Sequence, residues 1–145
     1  MLAWLRALLG RPSASTSRPS EGRETNVGHG GFGFEVVGEQ SYQSALRKVS
    51  AGRVERGERV TLVCHLRYEI NSHTHGPAVR VDTSGGSTLG HFPASQALMF
   101  ADAINKLEQR GEIAVCEGVL VGGQPDKPSF GIYLDFKPKL LSLYG

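Results

Sequence analysis

The segment ERVTLVCHLRYE, residues 58–69, alternates between apolar and polar side chains over its whole length. This alternation is typical of a β-strand with one face on a core and the other toward solvent. The apolar face carries Val60, Leu62, Cys64, Leu66 and Tyr68. The opposite face carries Arg59, Thr61, Val63, His65 and Arg67. This is the clearest strand of the chain, and the other elements are placed around it.

Five further segments predict strands, because they alternate or are continuously apolar between turn residues. They are residues 32–37, 78–81, 88–92, 113–121 and 130–137. Two segments have apolar residues at helical spacing, namely 41–49 and the stretch from Pro93 to Gly111. Most consecutive strands are joined by turns, which argues against a doubly wound α/β fold. The sequence therefore predicts a mainly β (α+β) fold with two helices and about six strands, in a small barrel or strongly bent sheet.

The two ends of the chain differ from its body. Residues 1–9, MLAWLRALL, predict a short amphipathic helix, because Arg6 interrupts a run too short for a signal peptide or a membrane span. Residues 10–31 are rich in Ser, Pro, Gly and Arg, the composition of a flexible linker. We therefore expect a helix and linker over 1–31, a folded domain over 32–138, a C-terminal tail over 139–145 and no integral membrane segment.

The charge of the chain is small and unevenly distributed. The 145 residues carry a formal charge of +2, and all of this excess lies in residues 1–31, with four Arg against two Glu. Residues 32–145 carry 12 basic and 12 acidic residues. Binding to duplex DNA by neutralisation of many phosphates needs a basic surplus, so this class of function is disfavoured.

The two cysteines, Cys64 and Cys116, are far apart and form no CxxC pair, which argues against a zinc ribbon or a thioredoxin-like centre. Each lies in an apolar, strand-like run. Two reduced core thiols in a cytoplasmic protein are the favoured interpretation, since free cysteine is among the most buried residue types. A disulfide between Cys64 and Cys116 is the alternative.

Enzymatic and metal-binding patterns are weak. The glycine-rich GHGGFG at 28–33 lacks the Lys and Ser/Thr of a phosphate-binding loop, and no G-x-S-x-G nucleophile turn occurs. His73 and His75, with His91 or His65, lack a nearby carboxylate or cysteine to complete a metal site. We expect no catalysis, no metal and no cofactor.

The polar stretch NSHTHGPAVRVDTSGGSTLGHFPASQA, residues 71–97, places a histidine-bearing loop between two short strands and then opens a helix. Polar groups gathered at strand ends usually face a ligand or a partner. This stretch is therefore the first candidate for a binding site.

Four segments, taken in order, resemble the HIRAN domain family. They are FEVVGEQSYQSAL (34–46), the Asn71 loop with AVRV (78–81), LGHF (89–92) with Ala97, and GG…FGIYLDF (122–136). The resemblance covers residues 32–138. It implies an OB-like β-barrel with added helices and non-catalytic recognition of single-stranded DNA, especially a 3′-hydroxyl end. HIRAN domains occur in remodelling ATPases such as the helicase-like transcription factor and as small stand-alone proteins, so a separate helicase or ATPase partner in DNA repair or replication is implied.

The resemblance also implies which positions contact nucleic acid. They are Gln40, Tyr42, Asn71, His73, Thr74, His91 and Phe130. Gln40 and Ser41 replace a basic and an aromatic residue of DNA-binding members. His73 stands where a stacking tyrosine is expected and Thr74 where a carboxylate receives the terminal hydroxyl, with one extra residue before Ala78.

A site for a strand end needs an aromatic face for a base, worth about 1–3 kcal/mol, together with donors for phosphate and an acceptor for the hydroxyl. Tyr42, Phe130 and His73 are candidate faces. The candidate donors are His91, Asn71 and Arg80, and the candidate replacement carboxylates are Asp82 and Glu39.

The alternative is a protein-interaction or structural domain with a degenerate pocket, docked through its N-terminal helix. In that case Tyr42 and Phe130 belong to the core and His91 is a structural histidine. Binding predicts that Tyr42, His73, His91 and Phe130 converge on one exposed groove. The alternative predicts that they are scattered or buried.

Overall fold

The computed structural model describes residues 22–71 and 76–144 of the chain. The strands within them are β1 (Arg23–Asn26), β2 (Phe34–Glu35), β3 (Thr61–Asn71), β4 (Gly76–Thr83), β5 (Thr88–His91), β6 (Glu112–Val121) and β7 (Gly131–Leu134). The helices are α1 (Gln43–Ser50), α2 (Ala94–Gln109) and α3 (Pro138–Tyr144), with a 3-10 helix over Glu39–Tyr42 directly before α1. The fold is mainly β, as predicted, with three helices where two were expected.

The sheet is antiparallel apart from the pairing of β1, and it curls back on itself. Its strand order is β2-β7-β6-β3-β4-β5, and β1 pairs in parallel with the first half of β6. The two outer edges meet just beyond the end of β2, where Val37 N donates to His91 O at 2.8 Å and His91 N donates to Val37 O at 2.9 Å. The result is a small barrel-like α+β domain.

The inner face of the sheet forms the core. Cys64 and Leu66 of β3 are fully buried on the predicted apolar face. Helix α2 packs against the inner side of the sheet with the stripe Ala97, Ala101, Ile104 and Leu107, as its spacing predicts. Burying one such aliphatic side chain contributes about 1.5–3 kcal/mol, so the helix and sheet stabilise each other.

Both ends of the domain differ from the sequence prediction. The predicted linker contains β1, because the backbone of this polar segment bonds to the free edge of β6. The predicted tail contains α3, whose Leu141 is only 1% exposed. The predicted helix over 1–9 lies outside the described residues. None of the helices in 22–71 and 76–144 is long and apolar enough to cross a membrane.

The two cysteines face each other across neighbouring strands. Cys64 of β3 is the direct partner of Cys116 of β6 in the sheet register. Both are free thiols in the structure and both are buried, which confirms the predicted core positions.

Candidate functional site

A cluster of polar side chains lies on the outer face of β3, β4 and β5. Arg80 of β4 has Arg67 of β3 as its register partner on one side and His91 of β5 on the other. Residues two apart in a strand share a face, so Glu69 and Asp82 lie on the same side as Arg80. We call Tyr42, Glu69, Arg80, Asp82 and His91 the rim cluster.

Ion pairs and a histidine–carboxylate hydrogen bond link four members of the rim cluster. Nε2 of His91 lies 2.6 Å from Oε1 of Glu69, and Nη1 of Arg80 donates to Oε2 of Glu69 at 3.1 Å. Nε of Arg80 contacts both oxygens of Asp82, at 2.9 and 3.0 Å. Asp82 is only 2% exposed, and a buried carboxylate is tolerated only when it is paired in this way.

Arg80 remains a cation in this setting. Burial by itself lowers the pKa of Arg80, but the hydrogen bonds and negative charges of Asp82 and Glu69 outweigh this effect and raise the pKa above its usual value. The two carboxylates of Glu69 and Asp82 accompany a single guanidinium, so the cluster has no excess of permanent positive charge. The cluster is therefore suited to hydrogen bonding with hydroxyl groups more than to attracting phosphate from a distance.

Tyr42 completes the rim cluster from the other edge of the barrel. Its ring centroid lies 5.9 Å from that of His91, with the planes inclined by 44°. The chain reaches this place through Gly38, whose φ of 80° suits glycine and begins the 3-10 helix. The next residue, Gln43, fixes the helix start, because its side-chain amide donates to Phe130 O at 2.9 Å and accepts from Phe130 N at 2.8 Å. Tyr42 is partly exposed.

The ring of Phe130 belongs to the core. It is 4% exposed and packs against Gly123, while the guanidinium carbon of Arg47 lies 6.0 Å from its centroid. Such a ring offers little exposed surface for stacking on a base, and the contact of Phe130 with nucleic acid stays a prediction.

The remaining predicted contacts are only partly described. Gln40 is exposed in the 3-10 helix, two residues before Tyr42. Asn71 ends β3 opposite Gly76, which places its backbone at the base of the loop after the rim cluster. The side chain of Asn71 and the whole of His73 and Thr74 lie outside the described residues. Of the four residues expected to converge, the structure brings together Tyr42 and His91.

Glu69 is the carboxylate that sequence reasoning missed. The two candidates named from the sequence are less suitable: Asp82 is buried beneath Arg80, and Glu39 lies against Gly131, with burial raising its pKa above the usual range. The alternation of β3 could have identified Glu69, because Glu69 lies two residues after Arg67 and four after His65 and so shares their polar face.

Stacking and hydrogen bonding are what this arrangement offers chemically. Across residues 22–71 and 76–144, no group of three or more His, Cys, Asp or Glu side chains is placed to hold a metal ion.

Comparison with protein-family models, with curated proteins and with solved structures finds no match for this chain.

Proposed function

We propose that this domain binds the end of a single nucleic-acid strand, without catalysis, as its resemblance to HIRAN domains implies. The observation that carries the proposal is the juxtaposition of an aromatic ring, an imidazole and a carboxylate in Tyr42, His91 and Glu69. They lie together at the edge of a barrel-like sheet, close to the base of the loop that the resemblance assigns to the ligand.

Each group has a role in this proposal. The partly exposed ring of Tyr42 stacks on the last base, which is worth about 1–3 kcal/mol. Glu69 accepts a hydrogen bond from the terminal 3′-hydroxyl. A carboxylate has about four acceptor positions, so contacts with His91 and Arg80 leave room for another donor. The imidazole of His91 donates to the preceding phosphate when it is protonated.

The proposal also includes the fold type, the ligand, the location and the partner that the resemblance implies. The barrel is assigned as OB-like, the ligand as single-stranded DNA, the protein as cytoplasmic, and the motor that accompanies it as a separate helicase or remodelling ATPase. The barrel-like antiparallel sheet supports the first of these assignments. The absence of a basic surplus in residues 32–145 favours recognition of a strand end over coating of long DNA.

One observation favours a protein-interaction or structural domain as a second candidate. The guanidinium of Arg80 is already engaged by Asp82 and Glu69, and Phe130 is buried, so two of the groups expected to face DNA are used inside the fold. In this case the rim cluster stabilises the barrel and binds no strand.

Fluorescence anisotropy with 5′-labelled oligothymidine, carrying a free or a phosphorylated 3′ end, separates the candidates across a salt series. The proposal expects the free end to bind about tenfold more tightly, a difference of about 1.4 kcal/mol, because Glu69 repels a terminal phosphate. Equal binding of both ends would remove the end-specific proposal. No binding at low salt would remove nucleic-acid binding and leave the second candidate.

The variant H91N and its control H29N sharpen this experiment. His29 is an exposed histidine that contacts Asn26 through its ring, and its φ of 85° is one that asparagine tolerates. We expect H91N to weaken binding of the free 3′ end and H29N to leave it unchanged. Equal effects of the two substitutions would show that His91 is not at the site.

A further inference from the structure

A groove separate from the rim cluster lies around the end of β6. Its volume is about 530 Å³, within the size range of small-ligand sites. Val119 and Val121 of β6 and Tyr133 of β7 form one part of the lining, and Phe32 and Arg59 form another. None of these residues belongs to the rim cluster.

Arg59 brings a positive charge to this groove. Its guanidinium carbon lies 5.2 Å from the ring centroid of Phe32, a cation–π contact between two residues that line the groove. The adjacent carboxylate of Glu58 contacts Arg53 at 3.5 Å and Arg56 at 3.1 Å. Among residues 22–71 and 76–144, no carboxylate forms an ion pair with Arg59, so its charge is available to an anion.

Two aromatic rings accompany this charge. Phe32 and Tyr133 are both partly exposed, and both line the groove with Arg59. Aromatic faces beside a guanidinium are the elements that bind a base and its phosphate in single-strand sites. The lining also includes the carboxylate of Glu58, whose charge is paired with Arg53 and Arg56. An apolar wall with two rings and the cation of Arg59 therefore matches a nucleotide unit better than it matches a purely apolar or a cationic ligand.

The groove adjoins the rim cluster along one short segment. Tyr133 pairs with Glu35, and His91 pairs with Val37, two residues further along the same extended chain. Two residues of strand span about 6.6 Å, so the two areas are close, and Glu35 and Val37 point to the same side. Val37, 38% exposed, leaves an apolar surface between them.

We propose that a single strand held by its end at the rim cluster continues past Val37 into this groove. There Arg59 contacts a phosphate and Phe32 and Tyr133 stack on a base. This inference rests on the proposed function, and it names a second contact area for the same ligand.

The test compares a labelled thymidine dinucleotide with a longer oligothymidine, both with a free 3′ end, by fluorescence anisotropy. Wild-type protein is expected to bind the longer strand more tightly. The variant R59Q is expected to weaken the longer strand about fivefold to tenfold, to leave the dinucleotide unchanged, and to reduce the salt slope by about one unit. Y133L is expected to weaken the longer strand without changing the salt slope.

Lys106→Gln is the matched control, because Lys106 is an exposed cation on α2 that pairs with Asp102 at 3.2 Å, away from the groove. It removes the same charge and is expected to change neither ligand's affinity. If R59Q weakens both strands equally, or neither, the groove is not a contact area for the strand. If wild-type protein binds no strand at all, the proposed function fails and this inference fails with it. If R59Q binds the longer strand as tightly as the wild-type protein does, while H91N still weakens binding of the free 3′ end, only the inference is overturned.

Discussion

The carboxylate of Glu69 and the imidazole of His91 lie 2.6 Å apart, although their strands, β3 and β5, are separated by β4. The contact therefore reaches across the whole width of β4. Arg80 lies on β4 between the two residues and donates to the other oxygen of Glu69. One carboxylate thus orients both a donor with a permanent charge and a donor whose charge depends on pH.

The first prediction concerns E69Q, which keeps the shape of the side chain and removes its charge. We expect the preference for a free over a phosphorylated 3′ end to fall toward unity, because an amide does not repel phosphate. The free energy of unfolding should fall by about 1 kcal/mol or less, since the contacts of Glu69 are partly exposed and Arg80 keeps Asp82. Anisotropy with both strand ends and urea unfolding measure the two effects.

Glu112→Gln is the control for E69Q. Glu112 is a half-buried carboxylate that contacts Thr25 at 2.8 Å and Arg110 at 3.0 Å, at the start of β6. The Glu112→Gln variant should keep the preference for a free over a phosphorylated 3′ end. If E69Q also leaves it intact, the acceptor for the terminal hydroxyl is another group.

Much of the fold follows from periodicity, and its exceptions have physical causes. The alternation over 58–69 predicts β3 within three residues at its start and two at its end. The segment RETN of β1 has no apolar alternation, and its pairing with β6 consists of backbone contacts that any side chains allow. Such a strand is recognised only when the free edge of β6 is known.

The site was harder to predict because it depends on the register of β4 and β5. Asp82 pairs with Thr88, and continuing that register would pair Arg80 with Gly90 and turn His91 to the other face. An irregularity between Val81 and Asp82 shifts the register, so that Arg80 pairs with His91. Gly85 and Gly86 indicate the hairpin but not this bulge.

The second prediction concerns R80M, which leaves the carboxylate of Asp82 buried without its guanidinium. We expect a loss of about 3 kcal/mol or more in the free energy of unfolding, because an uncompensated buried charge is costly. R67M is the control, since its partner Glu108 has a side chain 20% exposed against 3% for Asp82. R67M should cost about 1 kcal/mol. Equal losses of unfolding free energy in R80M and R67M, measured by urea unfolding, would show that the burial of Asp82 makes no difference. The double variant R80M/D82N should regain part of the stability that R80M loses.

The third prediction concerns the bridge between Val37 and His91, which joins the two edges of the curled sheet. A Cβ added at Gly90 would lie 2.5 Å from Cγ1 of Val36 and 2.8 Å from the carbonyl oxygen of Val37. G90A should therefore push the two edges apart, destabilise the fold by about 1–3 kcal/mol and speed hydrogen exchange at the amides of Val37 and His91. G33A is the matched control, because no atom lies within 4 Å of its new Cβ, and it should change stability by less than about 0.5 kcal/mol. Unchanged exchange in G90A would mean that the edges are not closed by this bridge.

The last prediction concerns the paired thiols. Burial raises the pKa of Cys64 to about 12, with smaller contributions from the negative charges of Asp135 and Asp82. Burial and the neighbouring Cys64 raise the pKa of Cys116 as well. Because the thiolate is the reactive form, iodoacetamide at pH 8 should label neither cysteine in the folded protein and both in urea. Rapid labelling of protein that keeps its native circular dichroism would show that β3 and β6 open locally.

The same shifts set the response to alkali. An unfolded thiol has a pKa of about 8.5, so above that pH the unfolded state releases protons that the folded state retains. The free energy of unfolding should therefore fall as the pH rises from about 9 toward 12, by up to about 1.4 kcal/mol per pH unit for each thiol. The double variant C64A/C116A lacks these groups and should show a shallower decline. Other groups titrate in this pH range in both proteins, so the difference between the two profiles of unfolding free energy against pH isolates the thiols. Parallel profiles would mean that both cysteines ionise as readily in the folded state as in the unfolded state.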